Sequence, residues 1–311
     1  MVQMMGFYSS ASVLQTILGP AESLQYEKVL ATVDVMDTYL SALFGVAKTL
    51  GVGHRHFGNQ LEVQIDAGTS PADHDPLHLQ LAQVATDYHD QASFMAAILH
   101  HRQQTYTDPP ETQIHRPSDV QMRGDWELVA SLGHRLDNWQ SKRFMELPSK
   151  PMTDTRGLFA QLSVRLLHAA TQGMLYRPYL SHLVVGPTTA GFSIQGFEFG
   201  SRCLNAALQA VWVTDSLHEK KLLHPAHWTA TYMLSQACLV ILYVRTNASR
   251  GPLLSETFEE MSRAIDRAES LLSFLALHNS AARQCHSIIA DLSDPSVTHN
   301  YYGAGDAAAV M

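Results

Sequence analysis

Residues Asp154–Pro178 read DTRGLFAQLSVRLLHAATQGMLYRP. Leu158, Leu162, Leu166 and Ala169 recur in steps of three and four, which places them on one face of an α-helix and excludes the alternation of a half-buried strand. Arg177-Pro178 ends the helix, because a proline ring disfavours helical backbone in the residue before it. His168 and Gln172 stand one turn apart in this otherwise apolar helix, where a polar group without a partner costs about 1–3 kcal/mol.

Working outward, the same periodicity predicts helices over Phe197–Leu217 and Pro225–Arg245, both strongly apolar. Ser255–His278 and Ser280–Leu292 form an expected antiparallel pair, the first opened by a capping box from Thr257 to Glu260. On the N-terminal side, helices are expected over Leu24–Leu50, with a break near Gly45, over Leu77–Thr105 and over Asp125–Phe144. Glycine and proline mark Gly53–Asp75, Thr107–Pro117 and Val184–Ile194 as irregular connections. Strand signals are scarce. The expected fold is all-α, a single irregular helical-bundle or solenoid-like domain over residues 1–293, with a loose tail over 294–311.

A hydrophobic fraction of 46% is ample for a buried core. The net charge is −8, and no stretch gathers the lysines and arginines that phosphate backbones require, so direct nucleic-acid binding is not expected. The three cysteines are far apart and set in helical patterns, fitting neither a disulfide framework nor a zinc spacing. No basic and apolar leader opens the chain, and Ala230–Val244, the longest apolar run, is broken by Ser235 and Gln236. The expectation is a complete cytoplasmic protein without a membrane span.

Several segments occur in a familiar order. Asp37-Thr38-Tyr39-Leu40-Ser41 opens the series, and Leu136-Asp137-Asn138-Trp139 with Leu147-Pro148 follows. Then come Leu166–Leu175 closing on Tyr176-Arg177-Pro178, Cys203-Leu204-Asn205-Ala206-Ala207, the aromatic-rich Trp228–Tyr243, and Ala281-Ala282-Arg283. Over roughly Leu30–Leu292 this order resembles the middle homology, or regulatory, domain of fungal zinc-cluster transcription factors. The six-cysteine cluster that reads DNA in that family has no counterpart among three scattered cysteines, and Gly45-Val46-Ala47 stands where the family has Gly-Arg-Pro.

The candidate chemistry is sparse. His54 and His56, His100 and His101, and His224 and His227 offer no HExxH or comparable second element that would complete a metal site. No GxSxG elbow or phosphate-binding glycine loop occurs, and the stretch GPTTAG at 186–191 lacks a serine nucleophile. No metal and no cofactor are expected. The richest set is aromatic: Tyr176, Tyr179, Phe197, Trp212, Trp228 and Tyr232, with Gln209, are expected to line an apolar ligand pocket. His168, Gln172 and Arg177 are its candidate catalytic groups, although an arginine at a helix end also serves to balance the helix dipole.

Two functions follow from pocket and resemblance together, and a helical scaffold with a well-filled core and no small-molecule role is the third reading. One is a cofactor-independent cyclase that orients a reactive terpenoid or polyketide-like intermediate for cyclisation, of which a hetero-Diels–Alder cycloaddition is an example. The other is a ligand-sensing regulatory domain, then nuclear, that does not itself bind DNA. The expected partner in both is a small apolar metabolite, and a homodimer is compatible with either.

Overall fold

The structure, a computed structural model, describes residues 41, 86–88, 90–99, 119–146, 155–184, 193–225, 227–247 and 255–293, with backbone alone at 119–125, 144–146 and 255. The chain divides into two compact units, Met1–Arg116 and Pro117–Met311, whose boundary falls in the proline-bearing stretch 107–117. The expected helix Leu24–Leu50 apart from Ser41, the loop at 53–75, and the His54/His56 and His100/His101 pairs lie outside the described residues. So do the connection at 107–117, Leu147-Pro148, the GPTTAG stretch and the tail at 294–311.

In the first unit, residues 86–88 and 90–99 are helical, inside the expected Leu77–Thr105. Ala92, Met95, Ile98 and Leu99 are buried at three- and four-residue steps. Asp87 and Gln91 are buried there as well.

Among its described residues the second unit has six long or medium helices and one short one. They are α1 (Asp119–Glu146), α2 (Thr155–Tyr176), α3 (Ser181–Val184), α4 (Ile194–Glu219), α5 (Trp228–Asn247), α6 (Ser255–Ala276) and α7 (Ser280–Ser293). A 3-10 turn, Arg177–Tyr179, carries Pro178 and ends α2 where the sequence predicts. Among the described residues every regular element is helical and none is a strand.

Helix starts differ from expectation at α1, which begins at Asp119, six residues before Asp125, and at α4 and α5, while α6 starts where expected but without the expected cap. α4 begins three residues before Phe197 because Ser193 caps it, its hydroxyl accepting from the Gly196 N–H at 3.1 Å. α5 begins three residues after Pro225, which sits in a turn closed by His227 N–H to the His224 carbonyl at 2.8 Å. α6 begins at Ser255, so Thr257 lies inside the first turn and is not the cap. The start of α7 is fixed by Asn279, whose Oδ1 accepts from the N–H groups of Ala281 and Ala282 at 3.0 and 3.2 Å.

Helices α2 and α4 form the main packed pair, and α4 continues onto α5 and α6. α5 is apolar on nearly all sides and sits against α2, α4, α6 and α7, which is how such a helix avoids water. Leu234, Cys238, Ile241 and Val244 are fully enclosed there. Most of the apolar run considered as a membrane span is thus core, with Leu239 and Tyr243 at its exposed side, and no described helix is long and apolar enough to cross a membrane. α6 and α7 are amphipathic and joined by three residues, Leu277–Asn279, so they run antiparallel. α6 presents Met261, Ala264, Ile265, Ala268, Leu272 and Leu275 inward. Arg267 Nε on α6 donates to Asp215 Oδ1 on α4 at 2.6 Å, tying the two elements.

Candidate functional site

A cleft of about 400 Å³ lies between α1, α2 and α4. From α2 come Leu162, Arg165 and His168, spaced by three and therefore on one side of the helix. From α4 come Gln209, Trp212, Val213 and Ser216, the i, i+3, i+4, i+7 set of a single face. Gln140 of α1 completes the described wall. Leu162 and Val213 supply apolar surface and Trp212, 36% exposed, a flat indole open to solvent.

His168 is the most constrained of these groups. It is only 3% exposed, its ring lies nearly parallel to Trp139 at 5.3 Å between centroids, and its Nε2–H donates to Gln140 Oε1 at 3.2 Å. Its Nδ1 is buried and has no hydrogen-bond partner. Burial pushes its pKa down to about 4, against the opposing pull of the Asp137 carboxylate. The ring is therefore neutral at physiological pH, with Nδ1 as an unused acceptor.

Of the residues expected to form one site, the structure brings His168, Gln209 and Trp212 to this cleft. Gln172 is half-buried one turn farther along α2 and is not among the cleft's lining. The other aromatics separate into two further places. Tyr176 and Tyr179 pack around Phe199, with ring centroids 5.4 and 5.1 Å from it, and Trp126 of α1 meets Tyr179 edge-on at 6.3 Å. Trp228 and Tyr232 meet edge-on at 6.2 Å at the start of α5. Phe197 is half-buried in the first turn of α4. Arg177 Nη1 donates to Gln236 Oε1 at 2.7 Å, joining the end of α2 to α5.

The Tyr176 cluster is a structural joint. Tyr176 is 1% exposed, and its hydroxyl accepts from Arg202 Nη1 at 3.3 Å while the same nitrogen donates to Asp137 Oδ2 at 2.7 Å. The guanidinium carbon also stands 5.7 Å from the Tyr176 ring centre, a cation–π distance. One arginine thus connects α1, α2 and α4. Burial pushes the Tyr176 phenol pKa up, and the Arg202 charge and hydrogen bond act against that rise.

Sequence reasoning missed Gln140, Arg165 and Ser216. For Arg165 and Ser216 a signal existed, since each stands three or four residues from a flagged polar or aromatic position on the same helix. Gln140 follows Trp139 directly but belongs to another helix, and only packing brings it to His168. Among the described residues no three metal-binding side chains converge, and His224 and His227 gather no further ligand. Cys203 and Cys238 are buried thiols outside any disulfide and Cys285 is half-buried, with burial raising the Cys238 pKa to about 12.

Comparison with protein-family models, with curated proteins and with solved structures returned no match, so function rests on the site itself.

Proposed function

We propose that the second unit binds a small organic molecule with an apolar body and a hydrogen-bonding edge in the cleft between α1, α2 and α4. The observation that carries this reading is His168: a buried ring on the cleft wall, fixed through Nε2 by Gln140, with an unpaired nitrogen on its other side. Nδ1 is closed to solvent, so a ligand donor would recover the roughly 1–3 kcal/mol cost of that unsatisfied acceptor only with a small shift of the ring. The volume of about 400 Å³ is at the small end of the roughly 300–1,000 Å³ typical of ligand pockets. The resemblance to the regulatory domain of fungal zinc-cluster factors supports the same reading, with the protein acting as a metabolite sensor.

Turnover of the bound molecule is a second reading, favoured by one observation. Burial keeps His168 neutral, so Nδ1 can accept a proton or a hydrogen bond while neighbouring amide donors polarise a carbonyl oxygen. A terpenoid or polyketide-like intermediate held this way would cyclise through orientation and hydrogen bonding, without a cofactor.

Native mass spectrometry of the full chain, incubated with a panel of polycyclic aromatic and terpenoid compounds, tests the binding reading. Retention by the wild type and loss in Trp212→Ala, a change at an exposed position, is the expected result. Equal retention by both proteins would place the ligand elsewhere. Incubating any retained compound with the protein, followed by product analysis, separates sensor from cyclase.

A further inference from the structure

Away from the cleft, we infer that Cys238 on α5 and Cys285 on α7 form a reversible thiol–disulfide pair, closed by hydrogen peroxide and opened by a thiol reductant. Register is the first argument. Arg245 Nη2 donates to the Ser293 carbonyl at 3.4 Å, so the C-terminal ends of α5 and α7 meet, and the two packed helices both run back from that shared end. Cys238 stands seven residues back from Arg245 and Cys285 eight back from Ser293. At about 1.5 Å per residue these are descents of about 10.5 and 12 Å, which brings the two cysteines to one level. Facing is the second argument. Cys238 shares the face of α5 that carries Arg245, two turns away. Cys285 lies three and four residues from the buried Ala282 and Ile289, on the docked face of α7. Helix axes about 8–10 Å apart, with Cα atoms about 2.3 Å off each axis, leave directly opposed Cα atoms roughly 3.5–5.5 Å apart and offset ones farther. That overlaps the roughly 4.4–6.8 Å that a disulfide spans.

The two thiols differ in a way that orders the chemistry. Cys238 is fully enclosed, and burial first, then the Glu269 carboxylate and the Cys285 sulfur, push its pKa up to about 12, so it stays protonated. The influence of Cys285 on Cys238 agrees with their shared level. Cys285 is half-buried and is therefore the sulfur that peroxide reaches first. Its thiolate attacks one peroxide oxygen: an S–O bond forms, the O–O bond breaks, and the departing hydroxide takes up a proton as water. The Cys238 sulfur then attacks the Cys285 sulfenic acid. The S–S bond forms as the S–O bond breaks, and the Cys238 proton leaves with the hydroxide as a second water. Two thiols thus lose two electrons, and one peroxide is reduced to two waters. Cys203 stands apart from this pairing, buried on α4 with its thiol donating to the Gly173 carbonyl at 3.5 Å. The bond fastens α7 to α5.

The test uses the intact, fully reduced chain, treated with a small excess of hydrogen peroxide, quenched with catalase, unfolded and alkylated with iodoacetamide. Peptide mass spectrometry is expected to find Cys203 alkylated and Cys238 joined to Cys285, with all three thiols alkylated again after dithiothreitol. The closed form should melt roughly 5–10 °C above the reduced one. With dimedone present during oxidation, Cys238→Ala is expected to accumulate the adduct on Cys285. Cys285→Ser is expected to leave Cys238 unmodified, because the enclosed thiol does not react alone. Should Cys238→Ala fold poorly, Cys285→Ser, a change at a half-buried position, still decides the order of attack. Three alkylated thiols in the oxidised wild type would overturn the pair, as would a dimedone adduct on Cys285 equally abundant with and without Cys238. A covalent dimer through Cys285, or any link through Cys203, would overturn it too. A closed form that melts no higher than the reduced one would overturn the fastening of α7.

Discussion

His168 makes stability depend on pH in a direction that can be worked out. Its pKa is about 4 in the folded protein against 6.5 for the free side chain, so between these values the unfolded chain binds the extra proton. Its contribution is present in full above pH 6.5 and is lost as the pH falls toward 4, reaching about 3 kcal/mol at 1.36 kcal/mol per pH unit. His182 and His227, also lowered by burial, act in the same sense. Thermal melts across this window should show Tm falling with acidification, and less steeply in His168→Gln, although that variant begins lower. A second residue-level prediction concerns Gly133. A methyl group there would collide with the Tyr176 hydroxyl, while the Tyr176 Cζ beneath it would lie at 3.2 Å. Gly133→Ala is therefore expected to destabilise by more than about 2 kcal/mol, in the range of overpacked cores. Denaturant melts of the double variant with Tyr176→Phe should recover part of that loss, because the colliding oxygen is gone.

At the scale of elements, α5 and the start of α4 carry distinct kinds of stability. Leu234 on α5 is fully enclosed, and Leu234→Ala is expected to cost about 2–5 kcal/mol through lost burial and the cavity left behind. Ser193→Ala removes only a cap and should cost about 1 kcal/mol. Urea denaturation separates the two, and a cost for Ser193→Ala as large as that for Leu234→Ala would show that the cap holds more than one N–H. The element boundaries show what periodicity can reach. The end of α2 lies within one residue of expectation because Pro178 imposes it sterically. The start of α4 was misplaced because Ser193 precedes residues, Ile194 and Gln195, that are both exposed and belong to no apolar face. Periodicity is blind to a first turn that buries little, whereas capping chemistry is not.

At the scale of the molecule, the division at Arg116/Pro117 gives the second unit a core of its own, built by α2 and α4 to α7. Residues 117–311 produced alone are expected to be helical by circular dichroism and to unfold in one cooperative transition. A gradual, non-cooperative melt would show that its core is incomplete without the first unit. The sequence by itself determined the helical class of the described residues, the helix ends set by proline, and the burial of most of the Ala230–Val244 run. These are local or compositional properties, fixed by backbone sterics and by the aversion of apolar side chains to water. The tertiary structure decided which polar and aromatic groups meet. Nine expected aromatic and polar positions beyond His168 went to different places: Gln209 and Trp212 joined it in the cleft, whereas Tyr176 and Tyr179 went to the Arg202 joint, Trp228 and Tyr232 to the head of α5, Arg177 to Gln236, and Gln172 and Phe197 to half-buried positions outside the cleft lining. Gln140 reached His168 from twenty-eight residues away. Helix-to-helix docking sets such encounters through the close fit of whole faces, and no spacing along a single helix encodes them.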